Sequence, residues 1–146
     1  MDLIVAKFDG NALKDGLKFK DAAESVIKEH MKGNQVVVIA SAASNATDEL
    51  LTLSSEAAGN FLTDSQKAEI MAMGERTSAR LLKSAIESQG IKAEVIDPYN
   101  DLWPIITDTN FLEAKIDLEQ SQAKINTLKI LLNHCQKMIH LSVFPA

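Results

Sequence analysis

The sequence predicts an α/β fold, a three-layer α/β/α sandwich around a mostly parallel sheet. Short apolar runs alternate along the chain with longer segments in which apolar residues recur every three or four positions. The run "QVVVIA" at 35–40 is apolar over five consecutive residues, which is typical of a strand covered by helices on both faces. Because the 146 residues are 46% hydrophobic and no linker or repeat divides them, we expect residues 1–146 to form a single domain.

The first part of the chain is expected to contain two strands with a helix between them. An apolar run at 3–8 ends at the turn-forming letters "DGNAL" and is interpreted as the first strand. Helical spacing of apolar residues from Phe19 to Lys32, followed by Gly33, predicts a helix that ends at the glycine. The apolar run at 35–40 is then the second strand.

Two helical segments are expected in the middle of the chain. Small polar residues follow the second strand and lead into a helix whose start is capped by Thr47 or Asn45. Helical periodicity then extends from Asp64 to Gln89 and is interrupted only by Gly74. A kink or a junction between two helices is therefore expected at Gly74.

The last third of the chain continues the alternation. A strand is expected at 91–98, followed by a stretch of mixed loop and short strand at 100–116. A helix from Asp117 to His134 and a final strand in "KMIHLSV" complete the order. This alternation of strands and helices favours parallel strands joined by helical crossovers.

The composition excludes several classes of function. The net charge is −5 with acids and bases interspersed, so no basic surface for nucleic acid is expected. The one cysteine, Cys135, excludes an internal disulfide and a cysteine-based metal cluster, and His30, His134 and His140 share no metal-ligand spacing. With no targeting signal and no apolar run of membrane-spanning length, a cytoplasmic protein is expected.

Two loops lie where α/β folds bind ligands, beyond the carboxyl ends of strands. The first begins at Lys7, whose ammonium could stabilise a transferring phosphoryl group or could simply extend into solvent. The second offers the hydroxyls of Ser41, Ser44 and Thr47, which could bind a carboxylate or cap the following helix. The residues alone favour the solvent alternative for Lys7 and capping for the second loop.

Glu75 and Arg76 form a charged pair among apolar neighbours directly after Gly74. A buried ion pair and contact with a ligand would explain them equally well. The common phosphate and nucleophile fingerprints, a Walker loop, a GxGxxG loop and a GxSxG elbow, are absent from the sequence.

Four segments in order resemble the aspartate kinase branch of the amino-acid kinase family. "KFDGNA" at 7–12 is similar to the family's Lys-Phe-Gly-Gly-Thr-Ser loop, and "SAASNAT" at 41–47 to its Ser-Ala, x-Ser-Gly-x-Thr segment. The stretch beginning "GER" at 74 resembles the family's Gly-Glu-Arg helix, and "ITDTNFLEAKI" at 106–116 its Thr-Asp then Phe pattern. The likeness covers nearly the whole chain.

The resemblance implies ATP-dependent phosphorylation of the side-chain carboxylate of aspartate, in amino-acid biosynthesis, with ATP and Mg²⁺ as cofactors. It assigns Lys7 to the transferring phosphoryl group as the catalytic residue, and Gly10 with Lys7 to phosphate binding. It places Ser41, Ala42, Thr47 and Glu75 around the bound aspartate, with Glu75 facing the ammonium group.

The departures from the family pattern cluster in the loops. Asp9 replaces the first loop glycine, Asn11 and Ala12 replace the hydroxyl pair, and Asn45 replaces a glycine of the second loop. A carboxylate about 4 Å from a phosphate costs roughly 4 kcal/mol at an effective dielectric near 20, or on the order of a thousandfold in rate.

In the family, the nucleotide-binding half follows the strand matched by "KMIHLSV". This sequence continues for three more residues after that strand. We therefore expect the isolated chain to be a truncated, incomplete or inactive kinase. The alternative is a non-catalytic module, derived from that family, that binds an amino acid or forms an oligomer, either with itself or with another chain.

Overall fold

The computed structural model describes residues 2–134 and 138–143, so the expectation about Cys135 lies outside the described residues. In chain order the strands are β1 (Leu3–Phe8), β2 (Gln35–Ala40), β3 (Lys92–Ile96) and β4 (Met138–Val143). The α-helices are α1 (Gly16–Met31), α2 (Ala46–Ala58), α3 (Asp64–Glu87) and α4 (Leu118–His134). Short 3-10 turns at Asn11–Leu13 and Gly59–Phe61 precede α1 and follow α2.

The four strands form one parallel sheet in the order β1-β2-β4-β3. The register places Val5 beside Val37, Val37 beside His140 and His140 beside Glu94, so these residues share one face of the sheet. The predicted α/β fold with a parallel sheet is confirmed.

The other face of the sheet carries the main core. Alternate residues Val36, Val38 and Leu141 are fully buried there, because α1 and α3 pack over them. Leu82 and Ile86 bring the core-facing side of α3 onto the sheet, and α2 packs against α3. This arrangement sets the start of α2 and the middle of α3 beside the end of β2.

The face that carries Val5 and Val37 is covered by α4, which supplies the third layer. The side-chain amide of Gln35 donates a hydrogen bond of 2.9 Å to the carbonyl oxygen of Leu132 and ties the helix to β2. The cover is partial, since Leu3 and Val5 on the edge strand β1 remain 41% and 57% exposed. None of the helices in the described ranges is both long enough and apolar enough to cross a membrane.

Two local expectations at helix starts were wrong in whole or in part. Helix α1 begins at Gly16 rather than at Phe19, because the Asp15 carboxylate accepts a hydrogen bond of 2.9 Å from the backbone N–H of Lys18 and caps the helix earlier. Helix α2 follows Asn45, which has a φ of 67° and makes no side-chain capping bond. Asn45, one of the two expected residues, therefore holds the N-cap position, but neither its side chain nor that of Thr47 makes the capping hydrogen bond.

The expected junction at Gly74 was also wrong, because α3 runs as one helix of 24 residues from Asp64 to Glu87. The stretch between β3 and α4 is mixed, as predicted: an isolated antiparallel bridge joins Thr107 to Ile116 within otherwise irregular chain. This excursion brings Phe111 back towards α3.

Candidate functional site

The loops that follow β1 and β2 are joined to each other. The backbone N–H of Ser41 donates to the carbonyl of Phe8 at 3.0 Å, and that of Ser44 donates to the carbonyl of Gly10 at 3.1 Å. The Ser44 hydroxyl also donates to Oδ1 of Asn11 at 3.0 Å. Because both strands are parallel, the two loops form one surface at the carboxyl edge of the sheet.

Two glycines allow this surface to close around Ala42. A β-carbon on Gly10 would lie 2.9 Å from the carbonyl oxygen of Ala42, and one on Gly74 would lie 2.8 Å from the Ala42 Cβ and 3.5 Å from Oγ1 of Thr47. Contacts under 3.0 Å leave no room for a side chain. Gly74 therefore serves the close approach of α3 to the second loop rather than a helix junction.

A polar cavity of about 250 Å³ opens at this point. It is lined by the second loop, by the first turns of α2 and by Glu75 of α3. Four of the residues predicted from the resemblance border it: Ser41, Ala42, Thr47 and Glu75. Asp48, which the sequence reasoning did not select, adds a second carboxylate to the rim.

The Glu75 side chain is the most unusual group in this cavity. The residue is only 4% exposed, and within residues 2–134 and 138–143 no hydrogen bond or ion pair reaches its carboxylate. Its oxygens are not among the fully enclosed polar atoms that lack a partner, so the carboxylate opens into the cavity. Native proteins keep such groups where a ligand or ordered water completes them.

Glu75 also borders a second, more apolar space of about 200 Å³. The walls of this space are Ala68, Met71 and Ala72 of α3 together with Phe111 and Leu112 of the excursion after β3. Sequence reasoning recognised the Phe111 segment as a motif but gave it no place at the site. The only sequence signal for these residues was that Phe111 and Leu112 form an apolar pair inside a polar loop. Their position beside Glu75 is visible only in the tertiary structure.

Arg76 does not pair with Glu75, so the ion-pair alternative was wrong. Its Nε lies 3.3 Å from Oδ2 of Asp97, an oxygen that also accepts from Arg80 at 2.8 Å, and its guanidinium lies 4.6 Å from the centre of the Tyr99 ring. Burial raises the pKa of Asp97, but hydrogen bonds from Arg80 and the Tyr99 backbone N–H, with both arginine charges, outweigh it and lower the pKa. Arg76 thus anchors α3 to the end of β3.

The comparison with protein families matches residues 2–141 to the model of the amino acid kinase family. The chain belongs to the amino acid kinase family. The chain is similar to curated aspartokinases. It is 30% identical to the aspartokinase of Rickettsia felis over 138 residues and 37% identical to the aspartokinase of Corynebacterium glutamicum over 95 residues. These matches cover 90% and 64% of this chain and 34% and 22% of the two relatives.

The fold is also similar to solved aspartate kinases. The structure from Synechocystis gives a TM-score of 0.69 at 20% identity, covering 96% of this chain and 21% of that one. E. coli aspartokinase III in complex with aspartate and ADP gives 0.76 at 16% identity, covering 97% of this chain and 40% of that one. This amino acid kinase chain therefore spans about a third or less of the curated relatives named above.

In the first loop, the side chain of Asp9 caps the turn that follows β1. Oδ1 of Asp9 accepts a hydrogen bond of 2.9 Å from the backbone N–H of Ala12. That N–H would otherwise be free to bind an anion, and the carboxylate adds negative charge at the same place. The first loop thus carries a carboxylate, and one of its backbone N–H groups is already bonded to that carboxylate.

Lys7 lies apart from the polar cavity that Ser41, Thr47 and Glu75 line, which we call the Glu75 cavity. It is exposed near the end of β1 and alternates with Leu3 and Val5, so it projects from the sheet face covered by α4. Glu75 lies on α3, which packs over the opposite face. Four of the predicted residues therefore line one cavity: Ser41, Ala42, Thr47 and Glu75. Gly10 packs against Ala42 in the loop that forms part of this cavity. Lys7 lines neither of the two spaces that Glu75 borders.

Proposed function

We propose that this chain is the acceptor-binding part of an aspartokinase-type protein and that it binds aspartate in the Glu75 cavity. The observation that carries the proposal is the Glu75 carboxylate, which belongs to a residue only 4% exposed, opens into the cavity and has no protein partner in the described residues. An ammonium group is the complement of such a carboxylate, because a charge-assisted hydrogen bond compensates the lost hydration. Aspartate is the choice among amino acids because the relatives are aspartokinases.

The rest of the cavity suits a small polar ligand. The hydroxyls of Ser41 and Thr47 border it, and neither makes a hydrogen bond within the described part of the chain. Each hydroxyl can donate to a carboxylate oxygen of the ligand. Ala42, held between two glycines, keeps the cavity wall close enough to contact a ligand of this size.

The isolated chain is proposed to transfer phosphate from ATP slowly or not at all. The support is Asp9, whose carboxylate takes the Ala12 N–H and repels a phosphate group. A coupled assay for ATP-dependent formation of aspartyl phosphate tests this part. Robust turnover by the pure 146-residue chain would contradict it, without affecting the proposal for aspartate binding.

Calorimetry with two ligands and two variants tests the aspartate site. Succinate matches aspartate but lacks the ammonium group, so wild-type protein should bind aspartate at least tenfold more tightly, since a charged hydrogen bond contributes about 1.5–3 kcal/mol. Glu75→Gln should lose most of this preference. Glu69→Gln, on the exposed side of the same helix, is the matched control and should behave as wild type. No heat with aspartate at millimolar concentration would refute the proposal.

A second candidate function is association through β1. This strand is at the edge of the sheet, and Leu3 and Val5 stay exposed on it, which makes it a template for pairing with another chain. Analytical ultracentrifugation of wild type and of Val5→Lys tests this function. Self-association that the lysine abolishes supports it, and a wild-type monomer at all concentrations argues against it.

A further inference from the structure

The space of about 200 Å³ between α3 and the excursion after β3, which we call the apolar space, adjoins the Glu75 cavity but differs from it in chemistry. Phe111 and Leu112 form one of its walls, and the proposed function gives them no role. Aspartate carries two carboxylates, and apolar walls cannot compensate the hydration that such groups lose. The apolar space therefore suits a different kind of ligand.

The first wall of the apolar space is a strip along α3. Ala68, Met71 and Ala72 line it together with Glu75, and this spacing of three and four residues places all of them on one side of the helix. The two alanines leave room, and the unbranched Met71 adapts its shape to what it contacts. This wall therefore accepts an apolar chain without a clash.

The second wall is held by a turn of the excursion. Phe111 and Leu112 lie there and are 59% and 47% exposed. Oδ1 of Asp108 accepts hydrogen bonds from the backbone N–H groups of Asn110, at 3.1 Å, and Lys115, at 3.2 Å, and so closes the turn around them. An apolar ligand beside this wall would remove both side chains from water, which is favourable.

Glu75 is the only charged residue that lines the apolar space. Its oxygens are not among the fully enclosed polar atoms, and no protein group of the described residues bonds to them. An ammonium group can therefore reach the carboxylate and form a charge-assisted hydrogen bond with it. Thr47, the other polar side chain of the lining, offers a hydroxyl oxygen as a further acceptor for ammonium N–H groups.

The size of the apolar space limits the chain attached to the ammonium group. Apolar cavities of about 150 Å³ accept benzene-sized molecules, so this space suits a chain of about four to six carbon atoms. Each CH₂ group that becomes fully buried raises affinity about fourfold. Affinity should therefore increase with chain length until the space is filled.

We propose that the apolar space binds the chain of a short apolar ammonium compound, an alkylamine or an amino acid with an apolar side chain, while Glu75 binds its ammonium group. Because Glu75 borders both spaces, this ligand and aspartate compete for one carboxylate. The proposal rests on the ammonium-binding role of Glu75 in the proposed function and adds a competitive inhibitor to it.

Calorimetry on the whole chain tests the proposal with probes that differ in one group. Isoamylamine has an ammonium group on a branched five-carbon chain, methylamine lacks the chain, and isoamyl alcohol lacks the charge. Isoamylamine should bind at least tenfold more tightly than either and should raise the apparent Kd of aspartate. Leucine adds a carboxylate to the same chain. If it competes as well as isoamylamine, amino acids are ligands; if it does not, the ligands are amines without a carboxylate.

Two variants separate the ammonium site from the apolar wall. Glu75→Gln should weaken isoamylamine at least tenfold and bring it close to isoamyl alcohol. Leu112→Ser should reduce the preference for isoamylamine over methylamine at least threefold, because part of the wall is lost. Leu118→Ser is the matched control: it makes the same change at a position of α4 that is 77% exposed and does not line the space, so the preference should not change.

The outcomes distinguish this proposal from the proposed function. Aspartate binding whose apparent Kd does not change with isoamylamine or leucine overturns the competitive inhibitor and leaves the aspartate site in place. Isoamylamine binding without aspartate binding refutes the aspartate assignment and supports the ammonium site. Equal wild-type affinities for isoamylamine and isoamyl alcohol overturn the role of Glu75, and this comparison needs no variant to fold. An unchanged preference in Leu112→Ser overturns the role of the apolar space.

Discussion

The Cβ of Ala42 lies only 2.8 Å from the place where a β-carbon on Gly74 would stand. This contact joins the loop after β2 to the middle of α3 and brings Glu75, the next residue on the helix, to the edge of the polar cavity. A glycine inside a helix is normally unfavourable by about 1 kcal/mol, so its presence here reflects the space that the loop occupies.

Gly74→Ala is expected to lower the free energy of unfolding by about 1–2 kcal/mol, because overpacking against Ala42 outweighs the gain in helix propensity. Denaturation with urea at 25 °C measures the change. Gly16→Ala is the matched control: it lies at the start of α1, where an added β-carbon meets no atom within 4 Å. If Gly74→Ala instead stabilises the protein, the loop that contains Ala42 can move to make room for the added β-carbon, which contradicts the expected overpacking.

Glu75→Gln is expected to change the free energy of unfolding of the ligand-free chain by less than about 0.5 kcal/mol, since the carboxylate opens into the cavity and has no partner in the described residues to lose. For a chain of this size, the melting temperature should shift by less than about 2 °C. Thermal unfolding followed by circular dichroism gives the value. Unchanged stability together with a loss of aspartate affinity is typical of a binding residue, whereas a loss of stability of more than about 1 kcal/mol would indicate that Glu75 has a structural role.

Asp9→Ala is expected to destabilise the first loop by about 0.5–1 kcal/mol, because the N–H of Ala12 loses its acceptor. Asp9→Asn keeps an oxygen at the same position and should stay close to wild type. Amide hydrogen exchange at Ala12 provides the local measurement. Equal protection of this amide in wild type and in Asp9→Ala would contradict the assigned hydrogen bond.

The ion pairs of Asp97 predict a dependence of stability on pH. Since the folded-state pKa of Asp97 lies below its ordinary value of 3.8, the pairs stabilise the fold above about that pH, and the contribution is lost as the pH falls through the folded pKa. Asp97→Asn should therefore cost about 1–2 kcal/mol at pH 7 and progressively less below pH 4. Urea denaturation of both proteins from pH 7 to pH 3 tests this, and a difference that does not change with pH would refute it.

Sequence reasoning was most successful where the pattern is local and repeated. The apolar run of β2 and the helical spacing of α3 predict their elements because each depends on burial of one periodic set of side chains. It was wrong about a junction at Gly74, where a close contact with the distant Ala42 decides the role of the residue. The pairing of Arg76 with Asp97, 21 positions away, is a further example.

The sequence by itself determined the alternation of strands and helices, the parallel sheet and the likeness to aspartate kinases, because these depend on periodicity and on ordered motifs. Only the tertiary structure decided that Glu75 opens into the cavity without a protein partner in the described residues and that Asp9 accepts a hydrogen bond from the N–H of Ala12. It alone also brought Phe111 to the more apolar space beside Glu75. The physical reason is that burial and hydrogen bonding belong to the space between elements, and side chains far apart in the chain meet there.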